Sequence, residues 1–594
     1  MPVSRARIKL PVKRVVGKTL RERLTANVYE RILPARYLLR DKEGRIIETP
    51  EQMFRRVADH VAQVEAEYGH DPRKVADAFY EAMVSLEFMP NSPTLMNAGG
   101  RLGQLAACFV LSPQDNLHSI FDTLRRAALI LQTGGGVGYT FSRLRPKGDI
   151  VQSTGGKSSG PLSFMHVYDE MCAALKQGGK RRGAQMAILR VDHPDIGRFI
   201  VAKRREGVLS NFNLSVAITD AFIEAVRRDE RYTLYNPRTG EPFRVAQETA
   251  HFYNLEYEHA PYTLVEENFW RDYAPSIQGV ERFRGRTELA VGEPMELPAR
   301  FIWEVLVDGA WRNGEPGLFA IDEANRDHSF DVQAHPEHRI EATNPCGEQP
   351  LEEYEACGLG HINLSLLVAD DSPLWGEQKE DGRPLSQRMG EFLRKAVDWE
   401  RLGCLVRLGT RFLDDAVSMS AFPLAEIEEK QKGLRNIGLG IMGWAEMLIQ
   451  LGIVYGSEAS FEAARQIMAF INRESKLASH ELAKERGVFK GWEDSKYAQP
   501  AKYADWFRRH TGLEPREWPD GLPLRNHHTT TVAPTGTTSM IADTSSGCEP
   551  LFDIAYFKNV GEDIQGQEPL VEWNSYFLQV LKANDLDVER IKEE

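Results

Sequence analysis

The sequence predicts an α/β fold preceded by a helical domain, on three observations. Near the N-terminus apolar residues recur at helical spacing, first Met53, Val57, Val61 and Val64, then Val75, Phe79 and Met83. From about residue 91 to 210 short apolar runs alternate with glycine-rich turns: NSPTLMNAGG, QTGGGVGYTF, STGGKSSGP and KQGGKRRGA, then the strand-like AILRV and LSNFNLSVAIT. The 594 residues are 42% hydrophobic and 27% charged, which is the range of folded globular proteins and excludes collagen-like, disordered and mini-protein classes.

Taken in order, residues 1–90 read as the helical N-terminal domain. Residues 230–300 are polar and aromatic without periodicity, and their elements cannot be placed from sequence. A helix is expected at 300–313, a loop-rich stretch at 340–362, and long helices around 385–417 and 459–486. The Trp-, Pro- and charge-rich segment 487–525 reads as a surface excursion before a short polar β-run, TTTVA, at 529–533.

The 73 Lys and Arg against 86 Asp and Glu give a net charge of −13, which speaks against a globally basic nucleic-acid binder and for small-molecule work. Six cysteines are too few for a secreted disulfide scaffold. The basic N-terminus is followed by no apolar signal region, and no run is long enough for a membrane span. A cytoplasmic protein, with neither a nucleic acid nor a membrane as partner, is expected.

The most informative stretch is Asn344-Pro345-Cys346-Gly347-Glu348-Gln349. In an extended backbone residues two apart share a face, so Asn344, Cys346 and Glu348 would project an amide, a thiol and a carboxylate into one space. Pro345 would shape the chain, and Gly347 would leave room for a ligand to approach it. The same residues also fit a surface turn around a structural cysteine. Cys108, in an apolar run, fits a core cysteine, and Cys172, Cys404 and Cys548 read as core or incidental. Cys and His spacing nowhere matches a structural zinc site, so no metal ligand set is expected.

In Ala533-Pro534-Thr535-Gly536-Thr537-Thr538-Ser539 a β-run feeds a Gly/Thr turn that opens a helix, an arrangement that aims backbone N–H groups and hydroxyls at a phosphate. It lacks the lysine of nucleotide-hydrolysing loops and also fits an ordinary capped helix start. QTGGGVG permits close approach of backbone to ligand, but its spacing is not a dinucleotide fingerprint. The basic loops KQGGKRRGA and VAKRREGVLSN suit nucleotide phosphates or plain solvated turns.

In chain order, MPNSPTLMNAGG, LAACFVL, QTGGGVGYTFSRLRP, GPLSFMHVYD, QGGKRRGAQMA, NPCGEQPL, CGLGHINLS, RNIGLGIMG and APTGTTSMIADTSSGCEP resemble the ribonucleotide reductase catalytic chain, specifically its adenosylcobalamin-dependent class II. The resemblance implies a ten-stranded α/β barrel of two five-stranded halves over residues 91–558, with a central finger loop near 344–360 and a C-terminal extension over 559–594. It implies Cys346 as the thiyl radical, flanked by Asn344 and Glu348, with Cys108 and Cys357 as the dithiol that becomes a disulfide. Substrate would contact Ser92, Ala107, Cys108, Gly136, the run Asn344 to Glu348, and Pro534, Thr535, Gly536, Thr537 and Thr538. A dNTP effector would meet Asp115, Ser119, Ile120, Arg145, Lys203 and Arg204.

The implied activity is reduction of ribonucleotides to 2′-deoxyribonucleotides for DNA synthesis, with adenosylcobalamin as cofactor and cobalt carried only by it. A thioredoxin-like or dithiol reductant and a homodimer follow by the same analogy. The NPCGEQ wording, and an N-terminus unlike a complete ATP-binding cone, favour class II over a class I-like subunit that relies on a separate radical-generating chain. Family chains continue past the equivalent of CEPLFDIAYFKN to a further cysteine pair, whereas this sequence has none after Cys548. The expectation is a barrel that is truncated or completed by a second polypeptide, with a catalytically incomplete nucleotide-binding chain as the non-enzyme alternative.

Overall fold

The computed structural model of the chain describes residues 8–175, 183–255, 267–378, 380–559 and 569–593. Most of the basic loop KQGGKRRGA lies outside the described residues. The chain forms two compact units, one of Met1–Ala107 with Ala356–Glu594 and one of Cys108–Glu355.

In the first unit helix α1 (Pro50–Ala62) begins where Thr49 and Gln52 exchange hydrogen bonds as a capping box, with Pro50 at a position that needs no N–H. It buries Met53, Phe54, Val57 and Val61, the face its spacing predicts. Val64 falls in a tighter helical turn, Gln63–Tyr68, that ends at Gly69. Helix α2 (Pro72–Val84) is capped by Asp71 and turns Ala76, Phe79 and Met83 inward, and strand β1 (Phe88–Pro90) follows.

The second unit is built on a parallel sheet. Strands β2 (Cys108–Val110), β3 (Gly136–Thr140), β4 (Gln185–Arg190), β5 (Phe212–Ile218) and β6 (Gly317–Ala320) pair in that order, every neighbour parallel. Parallel neighbours need crossovers rather than tight turns. Helix α3 (Leu117–Gln132) joins β2 to β3, helix α4 (Pro161–Leu175) lies between β3 and β4, and helix α5 (Ala299–Asn313) precedes β6. The described residues of the aperiodic segment 230–300 pack between β5 and β6 with aromatic rings in contact: Phe269 meets Phe301 edge to face at 5.0 Å and Phe252 at 6.2 Å.

The unit ends in a short antiparallel hairpin, β7 (Ala342–Thr343) and β8 (Pro350–Leu351), with residues 344–349 as its turn. It is seated on β3. A Cβ built on Gly138 would lie 1.7 Å from the Thr343 carbonyl oxygen, and one on Gly136 would lie 2.8 Å from Cγ of Pro345. Of the glycines of QTGGGVG, Gly136 and Gly138 therefore admit the chain's own hairpin. Arg143, just beyond β3, grips both legs of the hairpin through Glu341 (2.7 Å from Nε) and Glu353 (2.9 Å).

The chain then returns to the first unit. Strand β9 (Ala356–Asn363) is buried throughout, antiparallel to β1 and parallel to β10 (Ile437–Met442). The loop-rich reading of 340–362 thus holds for 344–349 and fails from Ala356 onward. Glycines 358 and 360 and the polar His361 and Asn363 disguise a buried strand as a loop. Burial without a charged partner holds the His361 imidazole down to about 3, so it sits neutral in this sheet.

The helix expected over 385–417 is two, α6 (Leu385–Ala396) and α7 (Trp399–Met419), because Val397 is extended and Asp398 caps the second by accepting from the Arg401 N–H. Helix α8 (Glu458–Arg486) matches its expected span. The segment 487–525 is not a surface excursion: Phe489, Tyr497, Phe507, Leu522 and Leu524 are buried. Its apolar residues lack any period, so burial could not be read from spacing. The TTTVA run lies extended beside β10, where Leu439 N–H donates to Thr529 O at 2.8 Å and Thr531 N–H to Leu439 O at 3.0 Å.

The seat of the hairpin predicts a sharp contrast. Gly138→Ala should destabilise the chain by about 3 kcal/mol, because the methyl meets backbone that cannot turn aside. Gly358→Ala, with open space around its Cβ, should be neutral or stabilising by about 0.5 kcal/mol. Thermal unfolding of both variants beside the parent checks this, and a parent-like Gly138→Ala would rule the seat out.

Candidate active site

The turn 344–349 is closed from within. Asn344 N–H donates to Gln349 O at 3.0 Å, Gln349 N–H donates back to Asn344 Oδ1 at 3.0 Å, and Gly347 N–H donates to Asn344 O at 3.1 Å. Gly347 has φ +86°, which an L side chain rarely adopts, and its Cβ position is open. The glycine is thus required by the turn's backbone. The extended backbone expected for Asn344, Cys346 and Glu348 is corrected accordingly: the chain turns here, Asn344 is buried, Glu348 half-buried and Cys346 exposed at the apex.

Turning brings the amide and the carboxylate to a different thiol. Asn344 Nδ2 donates to Sγ of Cys108 at 3.1 Å, and Glu348 Oε1 stands 4.0 Å from the same sulfur. Cys108 is buried at the start of β2, in register with Gly136 of β3. Burial pushes the Glu348 carboxyl above the usual glutamate value, and hydrogen bonds from the Asn344 side chain and from its own backbone N–H oppose that rise. An amide, a buried thiol and a carboxyl with a raised proton affinity suit proton exchange with a bound hydroxyl.

Behind the hairpin His338 Nδ1 lies 2.9 Å from Glu352 Oε1 and its ring stacks on Phe330 at 3.7 Å. Glu352 is fully buried and also lies 3.3 Å from His328. These groups brace the second leg of the hairpin and were invisible in the sequence, since they are spread from 328 to 352 without a motif.

Other expected residues fall in the first unit. Cys357 is buried on β9, and its carbonyl accepts from the Ala107 N–H at 3.0 Å. Ser92, the first residue of a short helix, pairs its hydroxyl with that of Tyr37 at 2.8 Å. The Pro534 to Thr538 run leaves the extended segment and enters a single helical turn, α9 (Thr538–Ile541). Within it Thr535 is held at φ +52° while its Oγ1 accepts from the Gly547 N–H at 2.7 Å. The following turn is anchored by Lys13, which no local motif in the sequence marks: its Nζ bonds the Asp543 carbonyl and lies 2.6 Å from the buried Glu446.

The expected effector residues separate into two groups, both in the second unit. Arg145 Nε donates to Asp115 Oδ2 at 2.8 Å, Ser119 Oγ accepts from the Gln114 N–H at 2.9 Å, and Ile120 is buried with its carbonyl on the Tyr168 hydroxyl. Lys203 and Arg204 are instead committed to carboxylates, Lys203 to Glu315 at 2.7 Å and Arg204 to Asp308. Among the described residues no helix is long and apolar enough to cross a membrane.

Comparison with known proteins places these features in context. The family model for the barrel domain of ribonucleotide reductase matches residues 106–594, and that for its all-alpha domain matches residues 23–103. A vitamin B12-dependent ribonucleoside-diphosphate reductase of Thermoplasma acidophilum is 37% identical over 96% of this chain and 70% of its own length. One of Mycobacterium tuberculosis is 39% identical over 89% of this chain and 62% of its own. A ribonucleoside-diphosphate reductase subunit alpha of Helicobacter pylori is 25% identical over 93% of this chain. The chain thus spans 62% to 70% of the length of the two B12-dependent relatives.

Exposure separates the six cysteines chemically. Under native conditions iodoacetamide should label Cys346, Cys404 and Cys548 while the buried Cys108, Cys172 and Cys357 react at least about tenfold more slowly, as read by peptide mass spectrometry. Labelling of Cys108 as fast as Cys346 would contradict the geometry.

Proposed function

The chain belongs to the ribonucleotide reductase family, and we propose that it reduces ribonucleotides to 2′-deoxyribonucleotides through a radical on Cys346, with adenosylcobalamin as cofactor. The observation that carries this reading is the split within one hairpin turn: an exposed thiol at the apex, and an amide and a carboxyl that meet a buried thiol below it.

The 3′ C–H of a ribose is too weakly acidic for a side-chain base, so its removal calls for a hydrogen-atom acceptor, and a thiyl radical exchanges hydrogen reversibly with such a bond. Cys346 fills that role. A group that takes a hydrogen atom from it must reach its sulfur, and Cys346 is exposed where Cys108 and Cys357 are buried, which fits the cofactor. When bound, adenosylcobalamin supplies the weak cobalt–carbon bond from which such radical chemistry starts. The names and higher identity of the B12-dependent relatives favour it over a separate radical-generating subunit.

With the hydrogen gone from C3′, Glu348 accepts the 3′-OH proton, and its raised affinity holds that proton near the sugar. The 2′-OH leaves as water with a proton from one thiol of the Cys108 and Cys357 pair, and the other thiol gives a hydrogen atom to C2′. As the two sulfurs join in a disulfide, their second electron goes to the 3′-oxidised sugar and Glu348 returns its proton to the 3′ oxygen. Cys346 then returns a hydrogen to C3′. Asn344, whose amide already reaches Cys108, orients the thiol and substrate hydroxyls. Pro534 to Thr538 receive the substrate phosphates on backbone N–H groups and hydroxyls. A dNTP effector at the Asp115 and Arg145 pair, a thioredoxin-like or dithiol reductant and a homodimer complete the proposal.

An anaerobic assay with adenosylcobalamin, dithiothreitol and each ribonucleotide tests it. Deoxynucleotide should form only with the cofactor and vanish in Cys346→Ser, whereas product from that variant refutes the radical assignment. Cys108→Ser and Cys357→Ser should each lose turnover, and two normal variants would refute the pairing.

Glu348 predicts the pH dependence. The base works ionised, so kcat/KM should fall as pH drops through its pKa, with a midpoint above the ordinary 4.5. Glu348→Gln should lose that limb together with about 100-fold or more of the rate. A limb that survives in Glu348→Gln belongs to another group.

A further inference from the structure

We infer that Asn213 is the positioning residue of Cys346, holding by its side-chain amide the peptide that leads into the reactive cysteine. For its chemical consequence this rests on the function proposed above, but its geometry stands independently.

Asn213 is the second residue of β5, and it is the exposed one in a strand otherwise buried from Phe212 to Ala217. Its Nδ2 donates to the Pro345 carbonyl at 2.7 Å. A carbonyl oxygen only accepts, so the contact needs a donor, and the amide N–H provides one. The ring of the same proline sits against Gly136, where a Cβ would come within 2.8 Å of Cγ. Proline fixes its own φ and has no N–H. The Pro345–Cys346 peptide is therefore held at its ring by β3 and at its oxygen by β5.

The remaining hydrogen bonds of the turn fix other atoms: those at Asn344, Gly347 and Gln349 close the loop on either side of Cys346. The Cys346 side chain is exposed, so core packing does little to aim its sulfur, and the placement of its backbone counts for more. Asparagine is disfavoured in strands, and an exposed one among buried apolar residues adds little to folding. Its place is explained by what it holds. Hydrogen transfer between sulfur and carbon is steep in distance, and a misplacement of about 1 Å costs on the order of 100-fold.

Two substitutions test this, and since Asn213 is exposed, neither removes core packing. Asn213→Ala should lower kcat on the order of 10- to 100-fold while KM for the ribonucleotide moves less than about threefold. In Asn213→Asp the carboxylate cannot donate, whereas the neutral acid can. Its kcat relative to Asn213→Ala should therefore rise as pH falls, a profile no purely structural side chain would give. Without cofactor or substrate, hydrogen exchange at the amides of Cys346 to Glu348 should quicken about tenfold in Asn213→Ala. If the parent chain reduces no ribonucleotide, the functional reading falls while the exchange result still decides the anchor. Parent-like exchange and parent-like kcat in both variants would overturn the assignment of Asn213.

Discussion

The Thr343 carbonyl lies where a side chain on Gly138 would be, and the candidate site depends on that close approach of two backbones. It sets the depth at which the hairpin rests on β3. The depth in turn lets Asn344 reach Cys108 and leaves Cys346 exposed at the apex. Arg143 holds both legs through Glu341 and Glu353, so the hairpin is fixed at its base by charge and at its tip by hydrogen bonds. A turn this short would be mobile on its own; here it is a rigid support for the Cys346 thiol.

The proposed chemistry rests on the unequal placement of three sulfurs. A thiol that exchanges a hydrogen atom with a large cofactor and then with a sugar must be reachable, and Cys346 is. Thiols that deliver two electrons once per turnover are better kept from solvent and stray oxidant, and Cys108 and Cys357 are buried. Glu348 is held between these demands: burial favours its protonated form, and the Asn344 hydrogen bond limits the rise.

The sequence made some of this legible and hid the rest for physical reasons. Helices α1, α2, α5 and α8 were legible because a 3.6-residue period survives wherever a helix has one buried face. The residues of the NPCGEQ turn were legible as chemistry, but their geometry was not, because an extended chain and a closed turn share the same letters and only the Gln349 and Gly347 bonds distinguish them. Strand β9 was hidden by its glycines, and 487–525 by apolar residues without a period. Asn213 and Glu352 act through residues more than a hundred, or more than ten, positions away, and no local pattern announces such a partner.

The central claim is that the Cys346 sulfur takes the hydrogen from C3′ of the sugar and later gives it back. Turnover of a ribonucleotide deuterated at C3′ tests this most directly. A slower rate than with the protiated substrate, and product that keeps deuterium at C3′, are expected. An identical rate together with complete loss of the label from C3′ would contradict abstraction and return by that sulfur.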